Sequence, residues 1–480
     1  MRCLTLANAL AALGSRCTFL CRNLPHSLAM RLENEGHNLI PLPQANAGQD
    51  DLPHSAWLGT TMAQDAAQVA PILDTLRPSW LVIDHYALDA RWTAAVRGKA
   101  RVVVIDDLAD RRLDADLLID ATAGRHPGDY DTVLPKQTPR LIGPNFALLR
   151  PEFATLRAAS LARQRDEVRD ILITMGGVDA DNATGAFLDK LAGRGFALTA
   201  VIGGASPHIA SLKAKVASIP GARLVINTPD MAALMAQSDL CIGAAGSTAW
   251  ERCALGLPAL TVVLAENQIY VAQGLANCGA ARTIVPSISA TDLYDMIQCL
   301  DAKAMSQAAS ALSDGKGARR IAAMMQVLPG LRIRVATLHD GAAIWHWRSA
   351  QGAERFYRSP QAVSLSDHLI WYQQALLDPD RELFIIELKG EPAAHVRIDR
   401  TGTTGRISIV VDPAIQGQRI AAAALALTLS NSREVDHFDA VVHEENSPSM
   451  RLFDGFGFRR VMFDPPFHQF AFDWSGTETL

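Results

Sequence analysis

At 480 residues the chain exceeds one ordinary core, so two or three domains are expected. Hydrophobic residues make up 49% and charged residues 20%, which suits packed cores, and the net charge of −5 without a long basic run counts against a nucleic-acid partner. Seven cysteines without a CxxC pair indicate neither a disulfide framework nor a zinc site; a reducing cytoplasm and no metal are expected.

The opening "MRCLTLANALAALG" mimics a secretory signal, but Arg2 is its only early charge and Asn8 interrupts it. It leads through Gly14 into the strand-like "RCTFLC", so it reads as a helix. No stretch reaches the roughly 18 uncharged apolar residues that span a bilayer. "WLVIDHY" (80–86), "RVVVIDD" (101–107) and "DLLIDAT" (116–122) are apolar runs with polar ends, as in buried parallel strands whose C-terminal ends carry chemistry. Asp106, Asp107 and Asp110 lack metal-ligand spacing and read as caps and a solvated edge. "RLIGPNFALLRPEF" (140–153) has the punctuation of a crossover between lobes.

A second βα series follows in "DILITMGG" (170–177), "ALTAVIGG" (197–204), "RLVINTPDMAALMAQSDLCIGAAGST" (223–248) and "PALTVVL" (258–264). Two α/β lobes imply a cleft between them. Gly176 and Gly177 follow a strand, where the missing Cβ lets backbone N–H groups face a phosphate, although such turns are common. Gly246-Ser247-Thr248 opens a helix whose positive end suits a diphosphate, and Glu251 stands one turn further in, toward a ribose diol. Spacing alone equally allows Ser247 or Thr248 to cap the helix, with Glu251 completing a capping box.

Gly246-Ser247-Thr248 with Glu251, then Gly256-Leu257-Pro258 and Asn267-Gln268, resembles the nucleotide lobe of GT-B glycosyltransferases. Within that group it is similar to the UDP-sugar hydrolases of pseudaminic acid biosynthesis, and "DHYALDARW", "VVVIDDLADR" and "LIGPNFALLRPEF" extend the similarity through both lobes. The resemblance implies UDP bound by Gly176, Gly177, Gly246, Ser247, Thr248 and Glu251. Tyr86 and Asn267 match catalytic positions facing sugar or water, although a rim aromatic and a loop cap are the plainer readings. His85 is a replacement base on paper, and a lone histidine at a strand end is usually structural or exposed. The family also carries a histidine base in a Gly-x-Gly-His turn before an Arg-Cys-Leu helix. This sequence begins at Met1-Arg2-Cys3-Leu4, so the first lobe is expected to be N-terminally truncated and its hydrolytic base missing.

After an Ala-rich helical stretch, "VLPGLRIR" (327–334) reads as a linker into an α+β domain over 331–475. "RISIVVDPAIQGQRIAAAALALTLSN" is a strand, a turn and a helix that aim backbone donors at a pyrophosphate. It resembles the acetyl-CoA loop of the GNAT acetyltransferases, through Gln416, Gly417, Gln418, Arg419, Ile420 and Ala421, with Arg419 at a usual glycine. In "HEENSPSMRLFDGFGF" (443–458) the resemblance gives Asn446 a cofactor contact and puts Phe453 where relatives carry an acidic tyrosine. "HWRS" (346–349) and "SDHLIWY" (366–372) resemble nucleotide-sugar N-acetyltransferases, with His368 and Trp371 either lining an acceptor pocket or packing a helix.

The expected architecture is thus α/β: two Rossmann-like lobes of GT-B type, over 1–145 and 146–315, and then an α+β GNAT domain. The two resemblances imply consecutive steps: acetyl-CoA-dependent acetylation of a UDP-linked amino sugar, then loss of UDP. A GT-B glycosyltransferase, or a non-catalytic UDP-sugar module beside an active acetyltransferase, remains the alternative.

Overall fold

Chain segments that are apolar on both faces become strands covered on two sides. The computed structural model describes residues 1–473 apart from 45–47, 49, 164, 351–352, 359–360, 433–434 and 436; for residues 267, 430 and 473 it describes the backbone only. These residues form two compact units. One holds residues 1–120 and 126–142 with the chain from 319 onward, and the other holds 121–125 and 143–318.

In the first unit, β1 (Thr18–Cys21) pairs in parallel with β2 (Asn38–Pro41). A separate four-stranded parallel sheet runs β3 (Trp80–Ile83), β4 (Arg101–Ile105), β5 (Leu117–Asp120) and β6 (Arg140–Ile142) in that order. Val102 to Ile105 and Leu117 to Ile119 are all buried, as their unbroken apolar runs require. Local chemistry starts the flanking helices: the Thr61 hydroxyl accepts from Gln64 N–H ahead of helix Met62–Leu76, and Asp89 accepts from Arg91 N–H ahead of helix Ala90–Val96.

The second unit is one parallel sheet of β7 (Asp170–Thr174), β8 (Ala197–Ile202), β9 (Ala222–Ile226), β10 (Leu240–Ala244), β11 (Ala259–Val262) and β12 (Ala281–Ile284). Its spatial order is β9-β8-β7-β10-β11-β12. The chain first builds outward from β7 in one direction, then returns to build outward in the other. The reversal between β7 and β10 is the topological switch point of a doubly wound sheet. Helix Ile269–Asn277 packs closely on segment 121–125, because a Cβ on Gly274 would lie 2.3 Å from the Ala123 carbonyl oxygen.

Back in the first unit, helix Gly317–Val327 runs along the edge of the β3–β6 sheet: Trp80 Nε1–H donates to the Met325 carbonyl at 2.9 Å, and Arg101 donates to that of Pro329 at 2.8 Å. A mixed sheet of β13 (Leu331–Val335), β14 (Arg381–Leu388), β15 (Glu391–Thr401), β16 (Thr404–Val411), β17 (His437–His443), β18 (Arg459–Asp464) and β19 (Phe467–Asp473) follows. Every neighbouring pair is antiparallel except β16 and β17. Those two pair only from Thr404–His437 to Arg406–Asp439, and then part. Helix Ile420–Asn431 has no polar face; Ala423, Ala424, Leu425, Ala426 and Thr428 are all buried. It lies against β15 and β16 of its own sheet and also approaches β6 of the first lobe.

Gly274→Ala should destabilise the fold by about 1–3 kcal/mol, because the new methyl meets backbone that cannot yield. Gly455→Ala, in a helix where a Cβ would meet nothing within 4 Å, should instead stabilise by up to about 1 kcal/mol. Calorimetric melting of the two variants checks both signs.

Candidate functional site

Two turns leave the second unit's sheet side by side at the switch point. Thr174 of β7 is in register with Gly243 of β10, so Gly176 and Gly246 follow on neighbouring strands, where open α/β sheets bind ligands. Gly176 has φ +93°, a conformation costly for any residue with a Cβ. A Cβ on Gly176, Gly177 or Gly246 would meet nothing within 4 Å, so these turns face open space. From below, the first turn is held by Gly203, whose Cβ would lie 2.3 Å from the Gly177 carbonyl oxygen.

The helix after the first turn is closed by its own chain. Asp179 accepts from the N–H groups of Ala183 and Thr184, both at 2.9 Å, and Asn182 accepts from Gly185 at 3.2 Å. Any phosphate there meets only the turn's own backbone. After β10, by contrast, no side chain caps helix Thr248–Ala254 and Ser247 is exposed, so the capping box that the spacing allowed does not form.

Arg252, which the sequence reading passed over, lies beneath this second turn. It is 1% exposed and donates to the Ala244 carbonyl at 3.1 Å and to Thr248 Oγ1 at 3.4 Å. No carboxylate lies in ion-pair range of it among the described residues. Gly243 makes the room, since a Cβ there would sit 2.9 Å from its Nη1. A buried cation with no counter-ion favours an anion above it. Glu251 is half-buried and has no hydrogen-bond partner among the described residues. Burial pushes its carboxyl up to about 7, against the pull of Arg150 and Arg252. Asn267 lies in the short Glu266–Gln268 turn, and its side chain is outside the described residues.

In the first lobe, Arg2 clamps the ends of β3 and β4. Its guanidinium donates to Asp84 at 2.6 and 3.0 Å and to Asp107 at 3.2 Å. Asp107 also accepts from the Tyr86 hydroxyl at 2.5 Å, which commits that proton, and Arg2 hydrogen-bonds the phenol as well. His85 is no free base. Its Nδ1 accepts from Ala87 N–H at 3.1 Å, a second hydrogen bond joins the ring to the Trp57 backbone, and burial lowers its pKa. Asp106, expected at a solvated edge, is 1% exposed; it accepts from Ala109 N–H, from Arg111 and from the Tyr130 hydroxyl, so it is a buried cap.

In the C-terminal sheet, the parting of β16 and β17 leaves facing edges at Ile407–Val411 and Ala440–His443 without a ladder partner, the geometry that accepts an extended thioester arm. The bidentate Arg406–Asp439 pair, at 2.6 and 3.0 Å, closes the last paired rung. Gln416, Gly417, Gln418 and Arg419 form an exposed turn, while Ile420 is buried and Ala421 half-buried at the start of the following helix, which no side chain caps. Arg419 has φ +64° and carries no ion pair among the described residues. The left-handed backbone explains the family's glycine, and an arginine there costs about 1–2 kcal/mol. These residues fit the pyrophosphate of a coenzyme: open donors, room and a nearby cation.

Asn446 caps helix Ser447–Phe456 through Ser449 N–H at 3.2 Å. Phe453 is buried against Phe458 and Phe470. His368 is buried and stacks on Tyr372, and its Nε2 has no partner. Sequence reading also missed His395 of β15, opposite Val410, whose Nε2 is likewise buried and unpartnered. Burial, with Arg397 and Arg348 nearby, pushes it down to about 3, so it is neutral at physiological pH. Among the described residues no cluster of His, Cys, Asp and Glu can hold a metal ion, and no helix is long and apolar enough to cross a membrane.

Because the folded state holds the Glu251 proton up to about pH 7 and the unfolded chain releases it near its ordinary value, stability falls as pH rises between them. Glu251→Gln should flatten that slope and raise Tm at pH 8, which calorimetric melting across pH checks. Arg419→Gly should stabilise by about 1 kcal/mol, from the relieved backbone. It should also raise KM for acetyl-CoA several-fold, which steady-state kinetics checks.

Residues 342–458 match the acetyltransferase (GNAT) family, and residues 195–325 match the glycosyltransferase family 28 C-terminal domain. The chain is 29% identical over 199 residues to the spore coat polysaccharide biosynthesis protein SpsG of Bacillus subtilis, across 39% of this chain; it spans 58% of that relative's length. It is 22% identical over 419 residues to an uncharacterized protein of Methanocaldococcus jannaschii, covering 81% of this chain and 83% of the relative. It is also 22% identical over 239 residues, half of this chain and 85% of the other, to the UDP-2,4-diacetamido-2,4,6-trideoxy-β-L-altropyranose hydrolase of Campylobacter jejuni. An acetyltransferase structure from Thermus thermophilus matches 30% of this chain and 96% of its own, at 19% identity and a TM-score of 0.27. The chain therefore joins a GT-B-like sugar-nucleotide portion to a C-terminal acetyltransferase domain of GNAT type.

Proposed function

We propose that the chain performs two consecutive steps on one nucleotide sugar. In the first, the C-terminal domain transfers acetyl from acetyl-CoA to the 4-amine of a UDP-linked 4-amino-4,6-dideoxy-2-acetamido sugar. The neutral amine attacks the thioester carbonyl, the C–S bond breaks, and the amine proton leaves as the thiolate is protonated. Backbone N–H groups on the free edges of β16 and β17 stabilise the oxyanion, and the turn from Gln416 to Ala421 holds the pyrophosphate.

In the second step, water attacks the anomeric carbon of the diacetamido product and the bond to the diphosphate breaks, giving free sugar and UDP. Charge grows on the leaving diphosphate, where the Gly246–Thr248 turn and the buried Arg252 beneath it favour an anion. Glu251 accepts from the ribose diol. Tyr86, its proton committed to Asp107, offers an oxygen lone pair to water or sugar. The similarity to the Campylobacter jejuni hydrolase supports this reading.

The single observation that carries the reading is the partnerless Glu251 carboxyl beside an open glycine turn at the switch point, in a chain that also holds the parted strands of an acyltransferase. The family 28 match favours one competing reading, transfer of the sugar to an acceptor. Incubating the UDP-4-amino sugar with acetyl-CoA, and following thiol, UDP and free sugar by NMR, tests all of these. The expectation is thiol release followed by stoichiometric UDP and free sugar. Absence of thiol would sink the acetyl-transfer step. Thiol without UDP would sink the hydrolysis, and an added acceptor that diverts the sugar into a glycoside would replace hydrolysis by transfer.

A further inference from the structure

The C-terminal sheet ends in a strand that is apolar where water meets it. β18 pairs with β19 on one side and, among the described residues, with no strand on the other. All six of its residues are exposed, and Val461, Met462 and Phe463 in its middle are 52%, 60% and 48% exposed. An edge strand guarded against other chains carries a charge or a proline along such a run. Here the charges stand at the ends instead: Arg459 and Arg460 open the strand, and Asp464 closes it.

An irregularity in the ladder decides which face each side chain takes. Arg460 pairs with Phe470 and Met462 with Gln469, so Val461 is one extra residue in β18. Residues that oppose each other in a ladder share a face, and along a regular strand the faces alternate. Arg460 opposes Phe470 and Phe463 opposes His468, two residues apart in β19, so both take one face. Helix Ser447–Phe456 packs there through Phe453, whose ring meets that of Phe470. On this face the Arg460 guanidinium lies 5.6 Å from the Phe470 ring and donates to Asp454 at 3.0 Å, and Phe463 stacks on His468 at 4.4 Å. Arg459, Met462 and Asp464 oppose Ala471, Gln469 and Phe467 and take the other face. Without the extra residue, Arg459 and Asp464 would point to opposite faces.

We propose that β18 pairs antiparallel with β18 of a second copy of this chain about a two-fold axis, with Arg459 opposite the second copy's Asp464. In the same register Arg460 opposes the second copy's Phe463, a cation against a ring, and Val461 opposes its Met462. Arg459 and Asp464 share a face, as do Arg460 and Phe463, so both pairings are geometrically allowed. The strand is basic at its start and acidic at its end, so antiparallel copies set unlike charges together twice, whereas parallel copies would oppose like charges. Asp464 is open to such a partner: its side chain is 71% exposed and lies 3.9 Å from Arg358, beyond hydrogen-bond range. Six residues a side are fewer than the roughly 20–30 of a standard interface, so the dimer is weak and forms in the micromolar range.

Sedimentation velocity of the full chain across a concentration series reads the pairing. The expected result is a reversible dimer whose dissociation constant rises about tenfold or more in Met462→Lys and in Asp464→Arg. The charge-exchanged double variant, Arg459→Asp with Asp464→Arg, should return it to within a few-fold of the wild type. All three substitutions lie on exposed positions, and unchanged thermal melting at low concentration shows that the variants fold. Hydrogen exchange on the wild-type chain needs no variant: the outward amides of β18 should slow as the chain is concentrated. A chain that stays monomeric throughout the micromolar range overturns the proposal. So does a dimer that Met462→Lys leaves intact, a double variant no tighter than Asp464→Arg alone, or exchange at β18 that ignores concentration.

Discussion

Backbone N–H and C=O groups inside a protein must be paired, and a strand that outlasts its neighbour leaves groups that only something else can satisfy. This constraint locates the chemistry of the chain. In the second unit the sheet reverses its direction of growth between the neighbouring strands β7 and β10. In the C-terminal sheet the same effect comes from strand divergence: β16 stays with β15 and β17 stays with β19, so the edge between them opens after one ion-paired rung. One opening comes from topology and the other from twist, yet both give exposed donors a rigid base.

Charge then distinguishes structural places from chemical ones. Around Arg2 every charge has an answer: Asp84 and Asp107 share the guanidinium, and Asp107 also holds Tyr86. Such a closed set fixes geometry and lends little field to a ligand. At the switch point the balance is left open among the described residues, with Arg252 buried without a carboxylate and Glu251 half-buried without a donor. In the acetyltransferase sheet His368 and His395 likewise keep buried nitrogens unpaired. Unmet polar demand inside a protein is expensive, which sets these places apart from the closed set around Arg2.

The sheets were largely readable in the residues. Runs such as "DILIT" and "RVVVI" are apolar on both faces, and only a strand covered on two sides uses such a run. The Gly176 and Gly246 turns and the Gln416–Ala421 turn were visible for the same reason, since glycines and small residues punctuate the pattern. What could not be read were pairings across distance. That His85 spends both ring nitrogens on backbone depends on a turn nearly thirty residues earlier. That Asp179 closes the Ala183–Leu191 helix depends on a left-handed residue, φ +46°, that no spacing announces. Arg252 sits in an amphipathic-looking position, and only the absence of a side chain at Gly243 lets it pass beneath the sheet's end. Asp106 looked like one of three edge carboxylates, yet only Arg111 and Tyr130, both buried with it, reveal it as an internal cap.

Helix Ile420–Asn431 follows the Gln416–Arg419 turn and carries no polar face. A helix on a sheet normally turns one face to it and the other to water, whereas this one is apolar all round and also meets β6 of the first lobe. The acetyltransferase is thus not a bead on a string. Its boundary in sequence is not a boundary in solvation, and cutting the gene at residue 331 would strip a hydrophobic helix of its contact with β6. Over evolutionary time this makes the fusion hard to reverse, because a separate C-terminal domain would first need a polar face on that helix.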